Sequence, residues 1–207
     1  MQSEEITVCG GNLRESPSTT ESRHQNRRSL RIMTRSLHFA KDSCEDILSY
    51  YVTDMNVMLE EISIIETTCA SSIVPEINED TTFSNVVEEL PSDYEQLISI
   101  LSAVQYVSSH TNDVRQANNL LRLENIIHDL LCTLNNVGFG SGILLPRRIY
   151  VDDITLPEVV TISGLRASCN IQTIFNRRQI YAEILRLSEN YFESMLQKYV
   201  HHSRSIL

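Results

Sequence analysis

The connections between the four helical stretches of this chain are very unequal in length, and that inequality limits its topology more than any single residue does. Leu30, Met33, Leu37, Ala40, Cys44, Ile47, Tyr51, Met55 and Met58 alternate spacings of three and four with no Gly or Pro among them. This is the apolar seam of a helix over 29–58. Tyr94, Leu97, Ile98, Leu101 and Val104 trace a second face over 92–110. Ala117, Leu120, Leu121, Ile127, Leu130, Leu131, Leu134 and Val137 trace a third over 114–137. Ile174, Tyr181, Ile184, Tyr191, Met195 and Tyr199 mark a fourth over 174–202. Only Thr111-Asn112-Asp113 separates the second helix from the third, so these two are antiparallel neighbours. The other two connections are each roughly 30 residues or more, and an extended chain covers ~3.3 Å per residue. A helix of ~30 residues is ~45 Å long, so either connection can return along the whole bundle. The expected fold is all-α: a long-chain four-helix bundle, up-up-down-down, with two long crossover loops.

Local signals refine the boundaries. Ser92 followed by Glu95 has the spacing of a capping box, directly after Pro91. Gly138, Gly140 and Gly142 stop the third helix. The run around Pro75 reads as loop, with a helical turn near 83–90. Short β-branched runs at 149–151 and 159–162 suggest a little extended structure in the last crossover. Residues 1–28 are polar and read as a flexible tail, leaving 29–207 as the bundle.

At 207 residues the chain is long enough for a real core. A net charge of -10 argues against nucleic acid, which rewards a basic face. The charge is unevenly spread: from Asp42 to Asp113 every charged residue is acidic. No apolar run is long enough to span a membrane, and the N-terminal stretch has no apolar segment of a secretory signal. None of the five cysteines forms a C-x-x-C pair. Cys44 and Cys132 fall on apolar stripes and are expected as buried, unpaired thiols acting as small hydrophobes. No N-x-S/T acceptor occurs.

Chemistry-bearing patterns are weak. The glycines at 138, 140 and 142 follow a helix and lack a following Gly-Lys-Ser/Thr, so they do not make a phosphate loop. The one Glu-x-x-His spacing, Glu21 to His24, lies in the polar tail and not on a bundle core. Glu124 and His128 suit a surface pair, and Asp152-Asp153 has no partner base. The expectation is a non-enzymatic protein with no cofactor and no metal. The unusual element is Phe175-Asn176-Arg177-Arg178, an aromatic and two cations at a helix start, where cations gain nothing from the dipole. Phe175 lies off the best seam and is a candidate for contact outside the bundle.

With these residues in place, the chain resembles the interleukin-6 family of long-chain helical cytokines, closest to the cardiotrophin and ciliary neurotrophic factor branch. Arg35-Ser36-Leu37 followed by Ile47-Leu48-Ser49-Tyr50-Tyr51-Val52 is similar to the first helix of that branch. The stretch LLRLENIIHDLLCTLNNVG resembles its third helix. Phe175-Asn176-Arg177-Arg178 matches its F-x-x-K element, with Arg178 standing where the family has Lys. The likeness covers roughly 29–202, and this chain lacks the Trp often present in the last helix. The resemblance implies a neurotrophic-type ligand that dimerises cell-surface cytokine receptors and activates Janus kinases. Phe175 and Arg178 would engage a leukaemia-inhibitory-factor-type receptor chain; exposed faces of the first and third helices would engage the shared signal-transducing chain. It also implies a monomer before receptor binding, with no membrane insertion. Its location would be extracellular by a leaderless route, or cytoplasmic until release. The competing reading is an intracellular, non-enzymatic helical scaffold or adaptor, which the odd cysteine count favours.

Overall fold

The first apolar seam becomes a helix, α1, that runs from Thr19 to Thr53. It starts ten residues before the expected start at 29. It stops at Thr53 because Asn56 turns into the left-handed region at φ 54°, a conformation Asn tolerates better than most residues. Met58, expected on the seam, is consequently exposed, and Val57 is buried in its place. The computed structural model describes residues 4–9, 19–74, 86–151, 157, 159–163, 165–169 and 174–205.

A 3-10 turn at Leu59–Glu61 leads into a short helix, α2, over Ile64–Ser71. The sequence reading has no helix here. Its start is secured by Ser63 and Glu66: the Ser63 hydroxyl accepts from the Ile65 amide at 3.2 Å, and the Glu66 carboxylate accepts from the Ser63 amide at 3.1 Å. The second long helix, α3, covers Val86–His110 with Pro91 inside it, so Ser92 is not its cap. Pro91 lies in the second turn and forgoes its own bond to the carbonyl four residues back, but Val86 and Leu90 are both buried, which favours carrying the helix through. In α4, Val114–Gly140, the cap is Asp113, whose carboxylate accepts from the Gln116 amide at 2.9 Å. Gly138 lies under the chain that returns from this helix: a Cβ there would meet the Ile143 carbonyl oxygen at 3.0 Å.

Four short strands accompany the helices. β1, Glu4–Thr7, pairs antiparallel with β2, Arg148–Val151. β3, Val159–Ile162, forms a hairpin with β4, Leu165–Ser168. The last helix, α5, covers Ile174–Ser205. The protein is mostly helical, as an all-α class requires.

The first 28 residues contain more than a polar tail. They supply β1, a buried Val8, a bridged Cys9 and the first turns of α1. Cys132 is also not free: it forms a disulfide with Cys9. A second disulfide joins Cys69 of α2 to Cys169 just after β4. Cys44 is buried and unbonded, as its place on the seam suggests. The pairings join residues 123 and 100 positions apart, so spacing alone gives no clue to them.

The core is one continuous cluster drawn from all five helices. α1 packs on α4 and α5, α3 packs on the same two, and α2 lies on α5. The result for α5 is unusual. Seven consecutive residues, Gln179–Leu185, are buried, so that part of the helix has no solvent face. Glu183, a charged residue within this run, is 1 % exposed and is held by Arg186 through Nε at 2.7 Å and a terminal nitrogen at 2.6 Å.

The meeting points along the long helices are specific. Lys41 of α1 pairs with Glu193 of α5. The Tyr50 hydroxyl, near the end of α1, donates to Asp113 at the start of α4, at 2.8 Å. Lys198, late in α5, pairs with Asp93, early in α3. The Tyr94 hydroxyl of α3 donates to the Pro146 carbonyl just beyond α4, at 2.6 Å.

Candidate functional site

The start of α5 sits at an end of the protein rich in tyrosine. Tyr51 comes from the last turns of α1, Tyr106 from the last turns of α3 and Tyr181 from the second turn of α5, and all three are buried. Tyr106 and Tyr181 meet edge to face, with ring centres 6.0 Å apart at 84°. This is a favoured aromatic geometry. His110 lies against Tyr106 at 4.5 Å. Tyr50 and Asp113 border the cluster through their hydrogen bond.

Electrostatics follow burial. Desolvation pushes the Tyr51 phenol up to about 12, against smaller opposing pulls from a Thr111 hydrogen bond and the Arg178 charge. Burial raises Tyr106 and Tyr181 as well, with Arg177 pulling both the other way. Tyr181 has a further peculiarity: its hydroxyl is buried with no hydrogen-bond partner among the described residues. The half-buried Tyr50 behaves differently. Tyr50 is raised first by its hydrogen bond to Asp113, and Asp113 is lowered first by the Gln116 amide and then by Tyr50.

Arg177 and Arg178 are therefore half-buried cations beside a neutral aromatic cluster. Phe175 is in the first turn of α5, but its side chain lies outside the described residues, as do those of Ile174 and Asn176. The structure thus puts Arg178 at the rim of the Tyr51 cluster. Sequence reasoning finds the two arginines and misses the tyrosines behind them. The signal was present: Tyr51 and Tyr181 both fall on apolar seams.

This arrangement presents planar cations on a rigid helix start with packed aromatics beneath, which suits recognition of a protein surface. Among the described residues no group of three or more His, Cys, Asp or Glu could hold a metal ion. No helix among them is long and apolar enough to cross a membrane. The catalytic-looking features of the sequence also disperse: Glu124 and His128 stay on α4, and Asp152-Asp153 lies outside the described residues. No protein-family model, no curated protein and no solved structure matches the chain.

Proposed function

We propose that the chain is a secreted helical cytokine whose long helices form an up-up-down-down bundle, and that it acts by bringing two receptor chains together. The observation that carries this reading is the order of contacts between helix ends. Along α1, Lys41 is beside Glu193, Glu45 is near Glu189 and Tyr51 is near Arg178, an order that supports α1 ascending as α5 descends. The Tyr50–Asp113 bond supports the same sense for α1 and α4. Asp93 with Lys198, and Tyr106 with Tyr181, do so for α3 and α5. Two helices up and two down, joined by crossovers long enough to return, is the arrangement of long-chain cytokine bundles. The two disulfides favour an oxidising compartment and disfavour an intracellular adaptor.

In this reading Phe175 and Arg178 anchor a leukaemia-inhibitory-factor-type receptor chain, and the resemblance of the first and third helices points to a shared signal-transducing chain as the second partner. The test is signalling by the purified, oxidised protein on cells carrying both receptor chains, either one, or neither. Janus kinase activation should require both. Absence of activation, together with absence of binding to either purified receptor ectodomain, would overturn the proposal.

A further inference from the structure

The outer face of α1 carries a feature that receptor anchoring at α5 does not use. Arg27, Arg28, Arg31, Arg35 and His38 are all exposed. At about 100° per residue they fall within an arc of about 100°, on a stripe roughly 16 Å long. No acidic residue occurs between Glu21 and Asp42, although the whole chain carries a net charge of -10. On the same face the sign then reverses, at exposed Asp42, Glu45 and Asp46. An ordinary solvated helix face mixes the two signs so that neighbours one turn apart neutralise each other. Here the cations are segregated, and each lies within a turn of another cation. Such clustering costs repulsion energy unless an anion resides there.

We propose that this stripe is a binding site for an extended polyanion, and specifically for a sulfated polysaccharide. The planar guanidinium forks of Arg28, Arg31 and Arg35 on one rigid helix suit sulfate groups, whose tetrahedral oxygens can accept paired hydrogen bonds. The site is preorganised, because the opposite side of the same turns is locked in the core: Leu30, Met33, Leu37 and Ala40 are all buried. That burial also argues against a membrane. An interfacial helix inserts its apolar face, and among the described side chains of α1 only Ile32, Phe39 and, well beyond the stripe, Val52 are large apolar residues left outside. Phe39 is itself engaged, lying 5.4 Å from the Arg35 guanidinium. Nucleic acid shares the anionic chemistry. The disulfides, however, belong to a compartment where the abundant polyanions are sulfated glycans. The exposed acidic run beyond His38 limits the site to a short ligand segment and would repel a duplex that continued along the helix.

The test measures binding of the full, oxidised protein to a sulfated heparin dodecasaccharide by titration across a range of salt. The wild type should bind at 0.15 M salt, with the logarithm of its binding constant falling linearly as the logarithm of salt rises. Arg28→Ser/Arg31→Ser/Arg35→Ser should weaken binding by about 30-fold or more and flatten that slope. Its melting curve should match the wild type, since all three side chains are exposed. Arg115→Ser/Arg122→Ser, which removes two exposed cations from α4, should change affinity by no more than about 3-fold. The proposal is overturned by no binding at 0.15 M salt or by equal loss in both variants. It is also overturned by tighter binding to phosphatidylserine vesicles or to a DNA oligonucleotide of equal charge. A matching loss of sulfated-glycan binding after Ile32→Ser/Phe39→Ser, with every arginine in place, would overturn it too.

Discussion

Lys198 places its ammonium 2.8 Å from each carboxylate oxygen of Asp93, across 105 positions of chain and with both residues buried. The Tyr199 hydroxyl donates to the same carboxylate at 2.5 Å, and Glu89 shares the Lys198 ammonium. The carboxylate therefore has three donor bonds, and the one buried cation serves two acids.

Breaking one half of this unit should be costly. Asp93→Ala leaves Lys198 buried with only Glu89 to balance it, and a loss of ~3–5 kcal/mol is expected in chemical denaturation. Replacing Asp93 and Lys198 together by apolar residues of similar volume should cost much less than the two single changes added. The sign of the pH effect is also fixed. Burial raises the Asp93 carboxyl above its ordinary value, outweighing the pull of Lys198 and Tyr199. A raised carboxyl holds its proton more tightly when folded. Its contribution to stability is therefore gained as pH falls through the folded pKa and is complete below about 3.8. The stability gap between wild type and Asp93→Asn should widen on acidification from pH 7; a narrowing gap would show that pairing outweighs burial.

Thiol chemistry should separate the five cysteines into three kinds. Under native oxidising conditions an alkylating agent should find none, because the one free thiol, Cys44, is buried and pushed far up by desolvation. After denaturation it should find one. A mild dithiol applied to the folded protein should open Cys9–Cys132, whose sulfurs are on half-exposed residues, before the buried Cys69–Cys169. Removing the latter by paired Cys→Ser changes should cost ~4 kcal/mol, since it closes a long loop. Mass spectrometry of labelled peptides reads the order.

Two buried polar side chains should be better replaced by apolar ones. Among the described residues, the Tyr181 hydroxyl and both polar atoms of the Gln116 amide find no hydrogen-bond partner. Tyr181→Phe and Gln116→Met should each raise stability by ~1 kcal/mol, because an unsatisfied buried group is removed without emptying the site. A loss of that size in thermal melts would show that a partner is present.

Phe175 and Arg178 can be separated from mere packing by two measurements on the same proteins. As receptor anchors, Phe175→Ala and Arg178→Ala should each weaken binding to the leukaemia-inhibitory-factor-type receptor by ~2 kcal/mol or more, at least ~30-fold. Melting temperatures should barely move. Arg178→Lys should bind like the wild type where the receptor needs only charge, and should lose affinity where it uses the planar fork. A Phe175→Ala protein that is ~3–5 kcal/mol less stable but binds normally once folded would place Phe175 in the core instead.

What was legible in the chain is what repeats at short range. Met33, Leu37, Cys44, Leu120 and Ile184 are all fully buried, as their three-and-four spacing demands. The β-branched runs near 149 and 159 do form strands. Illegible parts depend on residues far apart. The sequence reading credits a capping box at Ser92 and Glu95, but burial of Val86 and Leu90 carries the helix past it. The same motif type, at Ser63 and Glu66, does start a helix, in a stretch with no long apolar period. Likewise Glu183 looks like a surface residue by charge and is buried, on a helix that α1, α2 and α3 all pack against. At the candidate site, Arg178 stands out locally, whereas the Tyr51–Tyr106–Tyr181 cluster needs three helix ends to converge.

The two disulfides overlap along the chain: Cys69 lies inside the loop closed by Cys9 and Cys132, and Cys132 lies inside the loop closed by Cys69 and Cys169. A protease that cuts once anywhere between Cys9 and Cys169 therefore releases no fragment. A cut between Cys69 and Cys132, a span that includes the long connection ahead of α3, leaves the two pieces tied twice. The protein can be nicked there and still travel as a single covalent molecule, coming apart only where the surroundings become reducing.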